Sequence, residues 1–332
     1  MISVAIIGAG VMGATHARAY AGLEGVEVAA IVDTMEEKAQ KLADEVHARP
    51  VYQSEEIFQD PSIDLVDVTL PTSLHAQFVL RALECGKHIL VEKPFARTLE
   101  EINRITRAAQ KSSKFLMVAQ VLRFWPEYVA IRDVICSGQL GQPLMATACR
   151  LSDPPLWAVW LIDDRGSGGM VLDLQIHDLD VLNWMFGRPR RVLAKGIQNE
   201  DKNWVHCMAQ VEYAGLTAYD EASHRLPADF PYTTGLRVLC ENGILDYATC
   251  TSNPSIDEGR PGHHLMIYEA GHKGVPLSFT AGNAYANELA YFIECIRSNR
   301  APQTVTVQDA RLAVETCLAV RASLDTGLAI DL

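Results

Sequence analysis

The 332-residue chain is missing the marks of several protein classes at once. None of its eight cysteines (Cys85, Cys136, Cys149, Cys207, Cys240, Cys250, Cys295 and Cys317) forms a Cys-x-x-Cys pair. That argues against a zinc ribbon or a thioredoxin-like redox site. Scattered thiols of this kind read as reduced side chains, several of them in the core, of a cytoplasmic protein. No apolar run reaches the roughly 18 residues of a membrane span. No basic segment precedes the opening apolar run, as a secretory signal requires. Positive charge is in short supply: 29 Lys and Arg stand against 41 Asp and Glu, a net charge of −12. No nucleic-acid or membrane partner is therefore expected, since both need basic patches. An anionic cofactor remains open, because a helix N-terminus binds phosphate without side-chain cations. No internal repeat or low-complexity tract is visible.

What is present is organised. The length exceeds one ordinary core and implies two domains, here 1–121 and 122–332. The opening, MISVAIIGAGVMG, reads as a buried strand over 2–7, then Gly8-Ala9-Gly10-Val11-Met12-Gly13, then a helix to about residue 20. A second strand, 26–32, ends in Asp33, and a helix follows over 35–46. A lone GxGxxG is weak, but strand, glycines, helix and a later acid form the dinucleotide-binding pattern. Gly8 permits the tight turn, Gly10 lets a pyrophosphate approach the backbone, and Gly13 lets helix and strand pack closely. The alternative is a glycine-rich turn in another α/β fold. Asp33 can accept hydrogen bonds from ribose hydroxyls and would repel a 2′-phosphate, which favours NAD over NADP.

The alternation of strand and helix continues through a strand over 64–70. Pro71-Thr72-Ser73 then opens a helix, with Thr72 or Ser73 as its cap. A strand ending in Glu92-Lys93-Pro94 and another over 115–119 complete a doubly wound parallel sheet. Such sheets bind ligands beyond the carboxyl ends of their strands, where the glycine loop, Asp33, Pro71-Thr72 and Glu92-Lys93 all fall. His75, near the same ends, reads as a capping or orienting residue ahead of a cofactor contact.

After residue 121 a helix pattern over 170–185 places Asp173 and His177 four apart, on one face. An Asp one turn before a His can orient the imidazole and favour its cation. The alternatives are a structural Asp–His pair and, less favoured, a metal site with Asp180; no His-Glu-x-x-His pattern or second ligand cluster supports a metal. Strands over 143–151, 191–196, 205–213, 217–223, 233–241 and 243–247 indicate an open, mostly antiparallel sheet in an α+β domain, with Asn242-Gly243 as a hairpin turn.

In combination, GAGVMG with Asp33, Pro71-Thr72 with His75, Glu92-Lys93-Pro94, and Gly168-Gly169 followed by Asp173 and His177 resemble the glucose–fructose oxidoreductase/inositol dehydrogenase/rhizopine-catabolism (Gfo/Idh/MocA) family nearly end to end. The resemblance implies an NAD-dependent enzyme that oxidises a secondary alcohol of a cyclic polyol. Lys93 would contact the reacting hydroxyl, His177 would accept its proton, and Asp173 would hold the imidazole. A cis Lys93–Pro94 bond and a homodimer or homotetramer, paired through the open sheet face, are also implied. By loose position, Arg123, Asp153, Trp157 and Tyr232 are substrate candidates, with Trp125 and Trp160 as further stacking surfaces. Gln175 stands where many relatives carry a small residue. A carbonyl reductase or dihydrodiol dehydrogenase of this fold is the nearer alternative, and a non-catalytic NAD-binding sensor the more distant one.

Overall fold

The computed structural model describes residues 1–163, 166–251 and 264–332, with the backbone alone at Trp157 and Val159. The chain forms two compact units: Met1–Phe124 with Ala284–Arg311, and Trp125–Asn283 with Leu312–Leu332. Each unit is thus built from two separate stretches of chain.

The first unit carries β1 (Ile2–Ile7), α1 (Val11–Ala21), β2 (Val26–Val32), α2 (Glu36–Val46), β3 (Arg49–Val51), α3 (Glu55–Gln59), β4 (Leu65–Val68), α4 (Thr72–Glu84), β5 (His88–Glu92), α5 (Leu99–Lys111) and β6 (Leu116–Ala119). The six strands are parallel in the order β3-β2-β1-β4-β5-β6. The order reverses between β1 and β4, and the crevice at that reversal is where a doubly wound sheet receives its ligand. β4 and β5 are buried throughout, as expected of strands whose two faces are both covered. The short β3 was not singled out by its pattern. It contains Pro50, and it lies at the sheet edge, where a missing N–H costs no ladder bond. The cap expected at Thr72 or Ser73 is also corrected: Pro71 occupies the cap position, with no side-chain cap, and Thr72 is already helical.

Two later helices, α8 (Ala284–Ser298) and the start of α9 (Val307–Thr326), belong with this sheet. α8 packs against α1 and the 3-10 turn Val121–Phe124, burying Leu289, Phe292 and Ile293. In that turn the buried Arg123 donates through Nη1 to Thr304 O (2.9 Å) and lies 3.5 Å from Asp309 Oδ2.

The second unit holds α6 (Pro126–Ser137), β7 (Pro143–Leu151), α7 (Ile176–Phe186), β8 (Arg191–Gln198), β9 (Trp204–Glu212), β10 (Thr217–Ser223), β11 (Tyr232–Cys240), β12 (Gly243–Thr251), β13 (His264–Glu269), β14 (Val275–Pro276) and β15 (Ile330–Asp331). They form one nine-stranded sheet ordered β14-β13-β12-β11-β7-β10-β9-β8-β15, antiparallel at every pairing except β7 with β10. The three strands β13 to β15 go beyond the expected set. Two of them are two residues long, too short to show a period of two. In the β11–β12 hairpin Cys240 pairs with Gly243, so the turn residues are Glu241 and Asn242. Gly243 is the first strand residue, and it is glycine because a Cβ there would stand 2.3 Å from Tyr268 O.

Along β7 the inward residues Ala146, Ala148 and Arg150 are buried, while Met145 and Thr147 face out. Arg150 is the unusual member of this inner row. Its guanidinium forks onto Asp178 of α7 (Nε–Oδ2 2.8 Å, Nη2–Oδ1 2.9 Å). It also donates to the hydroxyls of Tyr232 (2.8 Å) and Tyr128 (3.4 Å). Burial presses the Asp178 carboxyl upward and Arg150 presses it down; two short parallel bonds of this kind are those of an ionised pair. Replacing Arg150 by Met strands the Asp178 charge and should cost about 3–5 kcal/mol. In urea unfolding, the double change Arg150→Met with Asp178→Leu should recover most of that loss.

Candidate active site

The glycine loop is built for something outside the chain. Gly8 has φ +114, and a Cβ there would stand 2.6 Å from Thr69 O; one on Gly13 would stand 1.8 Å from Gly8 O. Both are glycines because the backbone around them is packed. Gly10 differs: a Cβ there meets nothing within 4 Å, and the residue is exposed. α1 begins immediately after it, with no side-chain cap and no acid in its first turn. An open cradle before an uncapped, positively polarised helix end fits a pyrophosphate.

Asp33 lies beside this cradle and is committed to it. Its Oδ2 accepts from Ala9 N–H (2.9 Å) and its Oδ1 from Met35 N–H (2.8 Å). Each oxygen keeps acceptor capacity for a ribose hydroxyl. Thr69, not singled out by sequence, donates through Oγ1 to Gly8 O (2.8 Å) and fixes the loop from below. The residues therefore fit a nicotinamide dinucleotide. Gly8 to Gly13 would carry its phosphates and Asp33 its adenosine ribose.

The turn after β5 is held by buried polar contacts. The Lys93–Pro94 bond is cis. Glu92 is buried, its Oε2 accepting from Lys93 N–H (3.0 Å) and its Oε1 lying 3.3 Å from His16 Nε2. The other nitrogen, His16 Nδ1, is 2.8 Å from Asp67 Oδ2. Burial alone would lower the His16 pKa; Asp67 first and Glu92 next overcome it and raise it well above 6.5. For Glu92, burial pulls upward, and the His16 contact with the Lys93 charge pulls it below the ordinary value. One imidazolium thus joins α1, β4 and β5. His75 is buried with Nδ1 2.8 Å from Pro94 O and Nε2 2.8 Å from Leu70 O, which ties the Lys-Pro turn to the end of β4. Burial lowers its pKa against the pull of both carbonyls. Pro71 is exposed and Thr72 buried at the start of α4. Lys93 is half-buried.

In the second unit, the helix expected over 170–185 starts differently. Val171–Gln175 is a π turn, and α7 proper begins at Ile176. Such wider turns recur at functional sites. Asp173 lies within the π turn and is buried; His177 is half-buried in the first turn of α7. Gln175 is wholly buried beside Asp220 and Cys207, so the bulky residue in the π turn points into the unit's interior. Asp173 Oδ2 lies 3.5 Å from His224 Nε2, and His224 Nδ1 lies 2.9 Å from Ser152 Oγ. Neither Ser152 nor His224 carries a sequence signal; each merely follows a strand.

The substrate candidates divide. Tyr232 is half-buried, and its hydroxyl accepts from Arg150, which also forks onto Asp178, the residue after His177. Asp153 is half-buried, its carbonyl accepting from Ser152 Oγ (2.9 Å). Arg123 uses its guanidinium on Thr304 and Asp309, which makes it a brace of the first unit. The Trp157 side chain lies outside the described residues. Trp160 is exposed and Trp125 half-buried at the start of α6.

The His16 bridge has a pH signature. Its raised pKa gives a stability contribution that is full below the unfolded value of 6.5, while the carboxylates remain ionised. The contribution fades as pH rises through the folded value. Denaturant unfolding of the wild type and His16→Gln should therefore differ most near pH 6 and converge toward alkaline pH. A constant gap from pH 6 to 10 would contradict the charged bridge.

Comparison with known proteins agrees with this geometry. A family model described as "Oxidoreductase family, NAD-binding Rossmann fold" (GFO_IDH_MocA) matches residues 2–120, and the GFO/IDH/MocA C-terminal domain matches 128–246. A scyllo-inositol 2-dehydrogenase (NAD(+)) of Bacillus subtilis (strain 168) is 25% identical over 349 residues, covering 100% of this chain and 96% of the relative. A D-xylose 1-dehydrogenase (NADP(+)) 2 of Haloferax volcanii is 27% identical over 311 residues, covering 92% of each. A putative NADPH-dependent oxidoreductase from Desulfitobacterium hafniense shares the fold, with TM-score 0.91, 20% identity and coverage of 99% of this chain and 97% of that one. With its glycine cradle, parallel sheet and matched second unit, the chain belongs to the Gfo/Idh/MocA family of NAD(P)-binding oxidoreductases.

Proposed function

We propose that this oxidoreductase is an NAD-dependent dehydrogenase that oxidises a secondary alcohol of a cyclic polyol, such as an inositol, a sugar or a sugar derivative, to a ketone. One observation carries the proposal: the open Gly10 cradle, Asp33 and Lys93 all stand at the carboxyl ends of one parallel sheet. A relative named scyllo-inositol 2-dehydrogenase (NAD(+)) aligns over the whole chain, which supports the substrate class.

A bound nicotinamide dinucleotide supplies the hydride acceptor. The chain's own residues do the rest. The Lys93 ammonium hydrogen-bonds the reacting hydroxyl and stabilises negative charge as it grows on that oxygen. His177 accepts the hydroxyl proton at a ring nitrogen, and Asp173 holds the imidazole and favours its cation. Tyr232 and Asp153 are assigned to the substrate's other hydroxyls. The buried Glu92, bonded to Lys93 N–H, fixes the backbone from which the lysine extends.

The decisive assay is cofactor reduction with NAD⁺ across inositols, aldoses, sugar acids and glycosides. Activity should concentrate on one ring type. Lys93→Ala and His177→Ala should each lower kcat by ~10²–10⁴, with NAD⁺ affinity held within a few-fold. Turnover unchanged in both variants would end this assignment. For the cofactor, competing titrations should give tighter binding of NAD⁺ than of NADP⁺, and Asp33→Ser should narrow that gap. Preference for NADP⁺ in the wild type would reverse the role given to Asp33.

The outward face of the second sheet exposes Met145, Leu193, Met208, Tyr219 and Leu239. On that basis the proposed assembly is a homodimer or homotetramer joined through this face. Sedimentation at micromolar concentration should show it, and a monomer would exclude it.

A further inference from the structure

His75 sits near the start of α4, a helix that packs against both β4 and β5. Its buried ring makes two hydrogen bonds, from Nδ1 to Pro94 O and from Nε2 to Leu70 O, each 2.8 Å. One acceptor belongs to the residue after Lys93 and the other to the residue before Pro71, so one side chain spans two strand ends. Both partners are carbonyl oxygens, which only accept, whereas a neutral imidazole has one N–H and one bare lone pair. The pair of bonds is therefore complete only on a ring that carries both protons. His16 differs, because its partners are carboxylates whose charge keeps the ring protonated. Around His75 the acceptors are uncharged, and burial, the largest influence, disfavours the cation. When the second proton is lost, one carbonyl loses its donor. The Pro94 bond is buried, and the Leu70 bond is only partly so. A buried carbonyl without a donor is costly, while one within reach of water exchanges its partner at small cost.

We propose that His75 is a positioning residue for Lys93: it keeps a proton on Nδ1 and holds the Pro94 carbonyl in either charge state, while Nε2 clamps or frees the Leu70 carbonyl as it gains or loses its proton. The inference rests on the role given above to Lys93. The structure shows the clamped form, and the ring leaves it as pH rises through a midpoint on the acid side of 6.5. Two charged groups act on the ring: the Glu92 carboxylate of β5 favours its cation, and the Lys93 ammonium opposes it. The other charged and titratable groups of these elements are engaged or distant. Asp67 of β4 is turned to His16. Past the turn, Arg97 pairs with Glu101 of α5 (3.5 Å), and Glu100, Arg104, Arg107 and Lys111 of α5 are exposed. On α4 itself, Arg81 and Glu84 pair near the far end of the helix, and His88 lies at the opposite end of β5.

The test begins with the wild-type chain. Nitrogen NMR of histidine-labelled protein reads the charge and tautomer of His75, its signal assigned by through-bond correlation to its own backbone. Above the midpoint Nδ1 should keep its proton, and Nε2 should show a bare lone pair. The Leu70 carbonyl carbon should shift with the ring's titration, and the Pro94 carbonyl carbon should shift less. Two substitutions then separate the nitrogens, since the amide of Asn reaches the Nδ1 position and that of Gln the Nε2 position. His75→Asn should hold kcat within a few-fold of the wild type. His75→Gln should lower kcat by ~10–10²-fold, the cost of a misplaced reacting group, with KM little changed. A neutral ring protonated on Nε2 alone overturns the proposal, and so does a Pro94 carbonyl that shifts as far as that of Leu70. Gln supporting turnover better than Asn would overturn it too. Where neither variant folds, the tautomer and the two carbonyl shifts of the wild type decide. Those readings need no turnover. A Lys93→Ala enzyme that keeps its rate would therefore refute the reaction assigned above and leave the tautomer to stand or fall separately.

Discussion

One buried imidazole holds the nucleotide half of the molecule together. His16 lies on the helix that follows the glycine loop, and its two nitrogens face carboxylates from two neighbouring strands, Asp67 on β4 and Glu92 on β5. Because Glu92 also takes the Lys93 N–H, the position of the lysine backbone is coupled to the helix that faces the phosphates. Burying three ionisable groups is costly, and breaking such a set by removing one partner is worse. The arrangement therefore fixes one geometry, with the phosphate cradle and the Lys-Pro turn in a single register.

The second unit applies the same device with different residues. Arg150 and Asp178 tie β7 to α7, and the Ser152–His224 pair reaches Asp173 in the π turn before it. Glu92, Ser152 and His224 each sit at or just past the end of a strand. At such places backbone groups leave the ladder, and side chains must fix the direction in which the chain departs. The two units thus present their polar groups from rigid elements and not from long loops.

The first unit was largely legible from sequence because its signals are local. Gly8 to Gly13, Asp33 and the alternation of apolar runs each fall within a few residues of their partners. His16 escaped notice because its meaning depends on Asp67 and Glu92, 51 and 76 positions away along the chain. His224 and Ser152 are 72 residues apart and meet only through a parallel pairing inside an otherwise antiparallel sheet. The π turn was hidden for a different reason: Asp173 and His177 keep helical spacing whether the turn between them is α or π. Arg123, a substrate candidate by its position in the family pattern, bonds Thr304 O and lies 3.5 Å from Asp309 Oδ2, partners 181 and 186 positions away that no local pattern announces.

The first unit is completed late in the chain, and this sets the order in which it can be made. A nascent chain that has reached Phe124 already holds all six strands of the parallel sheet. It does not yet hold α8, whose Leu289, Phe292 and Ile293 pack toward α1 and the turn at Val121–Phe124. That apolar surface stays uncovered while the ribosome makes the whole nine-stranded sheet except its last strand. The nucleotide-binding unit, which starts first, is thus complete only once Ala284–Arg311 has been made.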